Sequence, residues 1–360
     1  MTAEDLTRNK TQVTRAFRVP HTMARKERTD PIEEAADTSA DLYDVATWEE
    51  RTSLDGLAVA IYRLLSGSAR WGTILLAALL LVGIGGFSAV TNPAIGALTL
   101  LSAIPALALA AYVYRSDITT SEPLWLLVAT FLLGVLTANF AAILNSVAQP
   151  YFRPIGFLGT VAFFFLIVGP VEETVKLLAV RLYAYGHDSF DSVLDGAVYG
   201  ALAGLGFAFI ENALYISRGI EQAGLDLGLG LIGIGGGITF TRALAGPGHV
   251  IYSAFAGYYL GLAKFNPENR GPIVVKGLII AALIHATYNS TVGIGSAVLS
   301  GIVGLPSLAS SFVYIALFDG VFALVLLGKI NRYRTAYRDA HESDASAEEE
   351  QRSELTEFDA

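Results

Sequence analysis

The sequence predicts an all-α polytopic membrane protein with about eight transmembrane helices plus a glycine-rich re-entrant or interfacial segment. Three observations lead there. Of 360 residues, 53% are hydrophobic and only 16% are charged, with a mean hydropathy of +0.51, which places the chain among polytopic membrane proteins. Apolar segments recur at about 72–90, 95–114, 124–147, 156–183, 193–215, 226–246, 247–263, 273–295 and 308–328. Alternating all of these from a cytoplasmic N-terminus would put Lys264, Arg270 and Lys276, and also Lys329, Arg332, Arg334 and Arg338, outside. That breaks the positive-inside rule twice. If 226–246 does not cross, both clusters and both tails fall inside.

Taken in order, residues 1–53 are polar, with mixed charge and no long apolar run, which predicts a disordered cytoplasmic tail. Leu54, Leu57, Ile61, Leu64 and Leu65 recur at helical spacing among Arg51, Arg63 and Arg70, predicting an interfacial amphipathic helix over 54–71. Residues 72–147 read as three accessory transmembrane helices, 156–295 as the membrane core that carries the ionisable residues, and 308–328 as the last transmembrane helix. Residues 329–360, with Glu348, Glu349, Glu350 and Glu354, read as an acidic cytoplasmic tail. Within 226–246, Gly228, Gly230, Gly233, Gly235, Gly236 and Gly237 make a poor continuous helix and suit a re-entrant or interfacial stretch. The absence of cysteine excludes a disulfide framework, a CxxC zinc site and a thiol nucleophile. A net charge of −9, concentrated in the tails, argues against a nucleic-acid partner. The expected surroundings are the lipid bilayer and a cell membrane, with both termini cytoplasmic.

The oddest stretch is Gly169-Pro170-Val171-Glu172-Glu173-Thr174-Val175-Lys176, two adjacent carboxylates and an ammonium between runs of membrane-interior residues. A charge there costs roughly 2.5–3.5 kcal/mol on insertion scales, so such residues face a bundle interior and mark function by default. A straight helix over 156–183 would be about 42 Å long, against a hydrocarbon core of about 30 Å. Pro170 lacks an N–H and predicts a break at Gly169-Pro170. Glu172 and Glu173 would then sit in the first turn of a new half-helix, where free N–H groups and the dipole favour negative charge. Lys176, one turn from Glu172, neutralises part of that charge. A structural ion pair locking two helices is the plainer reading, but twin glutamates exceed what one lysine neutralises.

The span at 193–215 carries two stripes. Gly196, Gly200, Gly204 and Ala208 form a small-residue face for close packing; beside it run Asp195, Tyr199, Phe207 and Glu211, with Asn212 next to the glutamate. Of five histidines, His249 and His285 are intramembrane. His249 shares a face with Ser253, Gly257 and Gly261; His285 has Asn289 one turn on. A lone apolar-face histidine is usually a satisfied core residue, but two beside three intramembrane glutamates point to chemistry. The inventory matches hydrolysis: a carboxylate to activate water, plus His and Glu ligands for an open zinc site. No HExxH motif and no serine with a credible histidine partner is present. Asp319 reads as an interhelical hydrogen-bonding acid.

These residues carry a resemblance. Glu172-Glu173-x-x-Lys176, Asp195-Gly196-x-x-Tyr199-Gly200, Gly206-Phe207-x-x-x-Glu211-Asn212, Arg242-Ala243-Leu244 leading to Gly248-His249, Gly257-Tyr258-Tyr259-Leu260-Gly261 and His285-x-x-Tyr288-Asn289 together resemble the PrsW family of intramembrane proteases. That family is similar to the CAAX prenyl endopeptidases and to the scaffold subunit of γ-secretase. The resemblance covers roughly 156–290 and makes 156–295 the expected catalytic core. It implies that Glu172 and Glu173 are the catalytic pair, with Glu211, His249 and His285 completing the site. Asn289 stands where many relatives have aspartate; either could orient His285.

Two mechanisms stay open at this point. In one, His249, His285 and a carboxylate, Glu211, hold zinc while Glu172 takes a proton from water. In the other, Glu172 activates water without metal, Glu173 or Glu211 orients it and the histidines stabilise the oxyanion. Lys176, Asp195, Asn212, Arg242 and Asn289 are the expected supporting residues. The resemblance implies a membrane-anchored protein substrate, cut near its membrane portion in regulated proteolysis, with an anti-sigma factor as family precedent. A CAAX-type enzyme would take a prenylated C-terminus instead. A non-catalytic scaffold would keep the fold without the chemistry, and a transporter should show an internal repeat, which these motifs lack.

Overall fold

The structure is a computed structural model that describes residues 50–83, 92–118, 122–223 and 237–357. Residues 1–49 of the tail expected over 1–53, and 226–236 of the glycine-rich segment expected over 226–246, lie outside them. Among the described residues are eight long helices: α1 (Ser53–Gly83), α2 (Pro93–Arg115), α3 (Leu124–Phe152), α4 (156–182), α5 (Val193–Ala223), α6 (Ile238–Lys264), α7 (Arg270–Val303) and α8 (Ser307–Glu357). The chain divides into two units, Met1–Ala69 and Arg70–Ala360. In the first, Asp55 accepts from the N–H of Thr52 at 2.7 Å and of Arg51 at 3.2 Å, closing the start of α1. The helix expected over 54–71 falls within α1.

Everything that follows lies in the second unit. Among the described residues, five helical stretches are long and apolar enough to cross a membrane: Pro93–Arg115, Leu124–Gly186, Val193–Ile220, Pro267–Val303 and Ser307–Asp339. The chain is therefore a multi-pass membrane protein. The 63-residue stretch Leu124–Gly186 holds two helices that pack on each other, α3 and α4, joined by the turn Arg153–Ile155. Gly156 ends that turn with φ 66°, a conformation that disfavours any residue with a Cβ.

Pro170 does not break α4. The helix is α-helical over Gly156–Phe163, widens to a π-helix over Phe164–Val168 and resumes as α-helix over Gly169–Leu182. Gly169 N–H reaches back five residues to the Phe164 carbonyl. The wider turn leaves room for the proline ring, which occupies the opening turn of the resumed α-helix. Glu172 and Glu173 therefore lie inside a continuous helix, and the favourable free N-terminus expected for them is absent. Gly169 also brings α4 against α7: a Cβ there would meet the Ala282 carbonyl.

The centre of the bundle is the α5–α6 pair. A Cβ on Gly196, Gly200 or Gly204 would run into the backbone of Gly257, Ser253 or His249, respectively. The small-residue faces of the two helices are thus each other's partner. α2 and α3 flank α5, and α7 and α8 pack on α6. The described part of the supposed non-crossing segment, 238–246, is the first two turns of α6, which continues through Pro247 to Lys264. At the opposite end of α5 from Glu211, Asp195 caps the helix. It accepts from the backbone N–H of Asp191 at 2.6 Å and of Ser192 at 2.8 Å, and from the Ser192 hydroxyl. Nearby, the Tyr199 hydroxyl donates to Glu122, just ahead of α3.

Candidate active site

Four helices deliver the ionisable residues to one buried place. α4 contributes Glu172, Glu173 and Lys176, which are 5%, 1% and 1% exposed; α5 contributes Glu211, α6 contributes Arg242 and His249, and α7 contributes His285. Lys176 Nζ donates to Glu173 Oε1 at 2.7 Å, lies 2.9 Å from His249 Nδ1 and 3.9 Å from Glu172 Oε2, and sits over the Phe207 ring at 4.3 Å. An ammonium only donates, so His249 Nδ1 accepts. The other nitrogen, Nε2, then faces Glu211 Oε2 at 3.0 Å. Arg242 holds the same oxygen at 2.5 Å.

Glu173 is fully engaged. Besides Lys176, its Oε1 lies 2.8 Å from His285 Nδ1, and its Oε2 accepts from Ser253 Oγ at 3.4 Å. Since Glu173 is the acceptor, His285 Nδ1 carries the proton and Nε2 keeps its lone pair. That nitrogen is 3.7 Å from Glu172 Oε2. Glu172 is held by its other oxygen, which accepts from Asn145 Nδ2 at 3.0 Å. Its Oε2 is buried with no hydrogen-bond partner, an atom that native structures rarely leave unmatched without a functional reason.

A cavity of 460 Å³ opens onto these groups, with Glu172, Glu211, His249 and His285 in its wall and Asn145, Gln149, Arg218 and Arg242 also lining it. A carboxylate oxygen without a hydrogen-bond partner, beside two imidazoles and a cavity with room for water, supplies the parts needed to deprotonate water and stabilise an oxyanion.

The supporting residues sort differently from expectation. Asn212 is in place: its Oδ1 accepts from Arg242 Nε at 2.8 Å, and its Nδ2 donates to Ser102 Oγ of α2 at 3.0 Å. Asn289 lines the cavity, but the group hydrogen-bonded to His285 Nδ1 is Glu173. Asp195 is not at the site; sixteen residues, about 24 Å of helix, separate it from Glu211, and its oxygens serve the start of α5. Asn145 and Ser102 escaped the sequence reading. The one available signal was an amide near the end of an apolar span at 124–147.

A sequence model for the PrsW family intramembrane metalloprotease matches residues 122–323, more than half of the chain. The chain belongs to the PrsW family. The match reaches from Glu122 through α3 into α8 and so takes in α3, beyond the 156–290 carrying the resemblance. Relatives named Protease PrsW agree with it. The protein of Oceanobacillus iheyensis is 33% identical over 197 residues, covering 53% of this chain and 82% of the relative. That of Halalkalibacterium halodurans is 32% identical over 188 residues, 52% of this chain and 79% of the relative. That of Bacillus subtilis is 32% identical over 190 residues, 51% and 78%. No solved structure matches the chain significantly. As a member of the PrsW family, the protein is an enzyme that hydrolyses peptide bonds within the membrane, and the family match does not favour the scaffold or CAAX alternatives.

The residues fit the metal that this family description implies. One ligand atom each from Glu172, His249 and His285 lies within 4.8 Å of the others. Of these three residues, Glu172 offers an oxygen, Oε2, with no hydrogen-bond partner; His285 has Nδ1 on Glu173 and Nε2 turned toward Glu172; and His249, with Nδ1 on Lys176 and Nε2 on Glu211, would exchange the Glu211 contact for the ion. A His₂Glu donor set is one that catalytic zinc takes with a fourth position open. This set holds Glu172 where the sequence suggested Glu211, whose Oε2 is occupied by Arg242 and His249.

Proposed function

We propose that this PrsW protease is a zinc endopeptidase in which Glu172, His249 and His285 hold the metal and Glu211 moves the proton. The observation that carries this is the Glu172 side chain, whose Oε2 has no hydrogen-bond partner, grouped with both imidazoles within ligand range. When bound, zinc would supply a Lewis acid for the scissile carbonyl and lower the pKa of water. Glu173, through its bond to Nδ1, keeps the His285 tautomer that exposes Nε2. Asn145 fixes the Glu172 carboxylate so that Oε2 faces the imidazoles. Arg242, anchored on Asn212, holds Glu211 at the cavity wall, where its carboxylate takes a proton from the attacking water and passes it to the leaving amine.

The substrate we propose is a single-pass membrane-anchored protein, cut near its membrane portion in regulated proteolysis in the cell membrane. Support comes from the bundle's polarity. The C-terminal ends of α2, α4, α6 and α8 and the N-terminal ends of α3, α5 and α7 share one side if successive helices alternate. Arg115, Arg181, Lys264, Arg270, Lys276, Lys329 and Arg332 belong to those ends, which the positive-inside rule makes cytoplasmic. Gln149, Arg218 and Arg242 belong to the opposite ends, so the cavity faces the outer half of the membrane.

The test is metal content and turnover measured together on detergent-purified protein. Wild type should carry about one zinc per chain. Glu172→Gln should lose both metal and turnover, whereas Glu211→Gln should keep the metal and lose about 10²–10⁴ of the rate. If Glu172→Gln retains zinc while turnover vanishes, Glu172 is the proton acceptor and the two roles are exchanged. A folded, active wild type without metal sinks the zinc assignment.

A further inference from the structure

Among the described residues α8 contributes none to the cavity wall, yet it carries a buried acid. Asp319 is 6% exposed; its Oδ1 accepts from the Tyr252 hydroxyl at 2.9 Å, and its Oδ2 is buried without a hydrogen-bond partner. Tyr252 follows His249 by three residues on α6, so the two rings project from one face. The Tyr252 ring lies 5.3 Å from the His285 ring, tilted by 32°, while His249 meets His285 edge-on, also at 5.3 Å.

His285 thus has three restraints. Glu173 fixes Nδ1, and the Tyr252 and His249 rings flank the imidazole. A terminal ring torsion is broad and is held only by what surrounds it. A flanking ring restrains it only if that ring is itself immobile. Tyr252 is made so by its hydroxyl, and the acceptor is Asp319. An apolar residue at 319 would pack in the membrane without the desolvation that a carboxylate suffers there; what the carboxylate adds is an acceptor for the Tyr252 hydroxyl.

We infer that Asp319 and Tyr252 form a positioning pair that sets the ring plane of His285 and keeps Nε2 aimed at Glu172 Oε2, 3.7 Å away. The inference builds on the catalytic reading above, and it gives α8, the helix at the edge of the family match, a part in the reaction. Asp319 itself touches neither substrate nor metal.

The experiment compares wild type with Tyr252→Phe, Asp319→Leu and Asp319→Asn by three readouts: steady-state cleavage of a single-pass substrate, zinc affinity by chelator competition, and ¹⁵N NMR of the histidine side chains. The His285 signal is assigned with His285→Ala. Tyr252→Phe and Asp319→Leu should lower kcat and zinc affinity by about 10–100-fold, leave KM within twofold, and shift or broaden the His285 resonance. Asp319→Asn, which can still accept the hydroxyl, should restore most of each. An unchanged His285 resonance in Tyr252→Phe overturns the pairing, as does a loss that tracks melting temperature and is not recovered by asparagine. If wild type neither cleaves nor binds zinc while the resonance still responds, the pairing stands and the catalytic assignment fails.

Discussion

Lys176 is the residue on which the buried charge of the site turns. It reaches both glutamates of its own helix and His249 of α6, and it is fully buried. Replacing it with methionine leaves Glu173 with one charged partner fewer in a medium where uncompensated charge is expensive. We expect a loss of about 3–5 kcal/mol, read as a fall in the thermal midpoint of the detergent-solubilised protein. The double change Lys176→Met with Glu173→Met removes both charges and should recover most of that loss, though not activity; a double variant no more stable than the single would contradict the pairing. The ionisable members of the site were legible in the sequence because lipid makes them conspicuous: no solvated surface explains a glutamate or histidine in an apolar run. Asn145 and Ser102 were not, since uncharged polar side chains are ordinary in membrane helices.

At the scale of elements, the α5–α6 contact is the joint that brings Glu211 to His249. A Cβ at Gly200 would strike the Ser253 carbonyl, which is backbone and cannot rotate away, whereas a Cβ at Gly320 of α8 meets nothing within 4 Å. Gly200→Ala should therefore lower the melting temperature and abolish turnover together, at about 1–3 kcal/mol or more. Gly320→Ala should be neutral or stabilise by up to about 1 kcal/mol through helix propensity. Equal effects of the two would mean that the helices do not approach this closely. The small-residue faces could be read from spacing alone. The continuity of α4 could not: proline forbids an α-turn locally, but whether the chain kinks, breaks or widens into a π-turn depends on α7 packing against Gly169.

For the whole molecule, the alkali-sensitive point lies away from the active site, where the turn before α3 meets the start of α5. Burial pushes the Glu122 carboxyl up from 4.5 to about 8, against the opposing hydrogen bond from Tyr199. The folded chain therefore holds this proton over a range in which the unfolded chain has lost it. Its contribution to stability is complete below about pH 4.5 and is lost as pH rises through about 8. Thermal midpoints of wild type should fall across that window, and Glu122→Gln, which keeps the Tyr199 contact without a titrating proton, should flatten the dependence. A midpoint that rises with pH in wild type, or a slope unchanged in the variant, would remove Glu122 as its source.

The sequence by itself determined that the chain is helical and membrane-embedded, that α5 and α6 each carry a small-residue face for close packing, and which ionisable groups stand out among apolar runs. Each of these follows from a local property: hydropathy over a window, spacing along one helix, or the penalty for a charge in lipid. Tertiary structure alone decided which carboxylate stands within ligand range of both histidines, that Asp195 serves a helix end about 24 Å of helix from Glu211, and that α2 reaches the site through Ser102 and Asn212. Those outcomes depend on how far helices slide and rotate against one another. A shift of one residue turns a side chain by about 100°, and only the packed bundle sets that register.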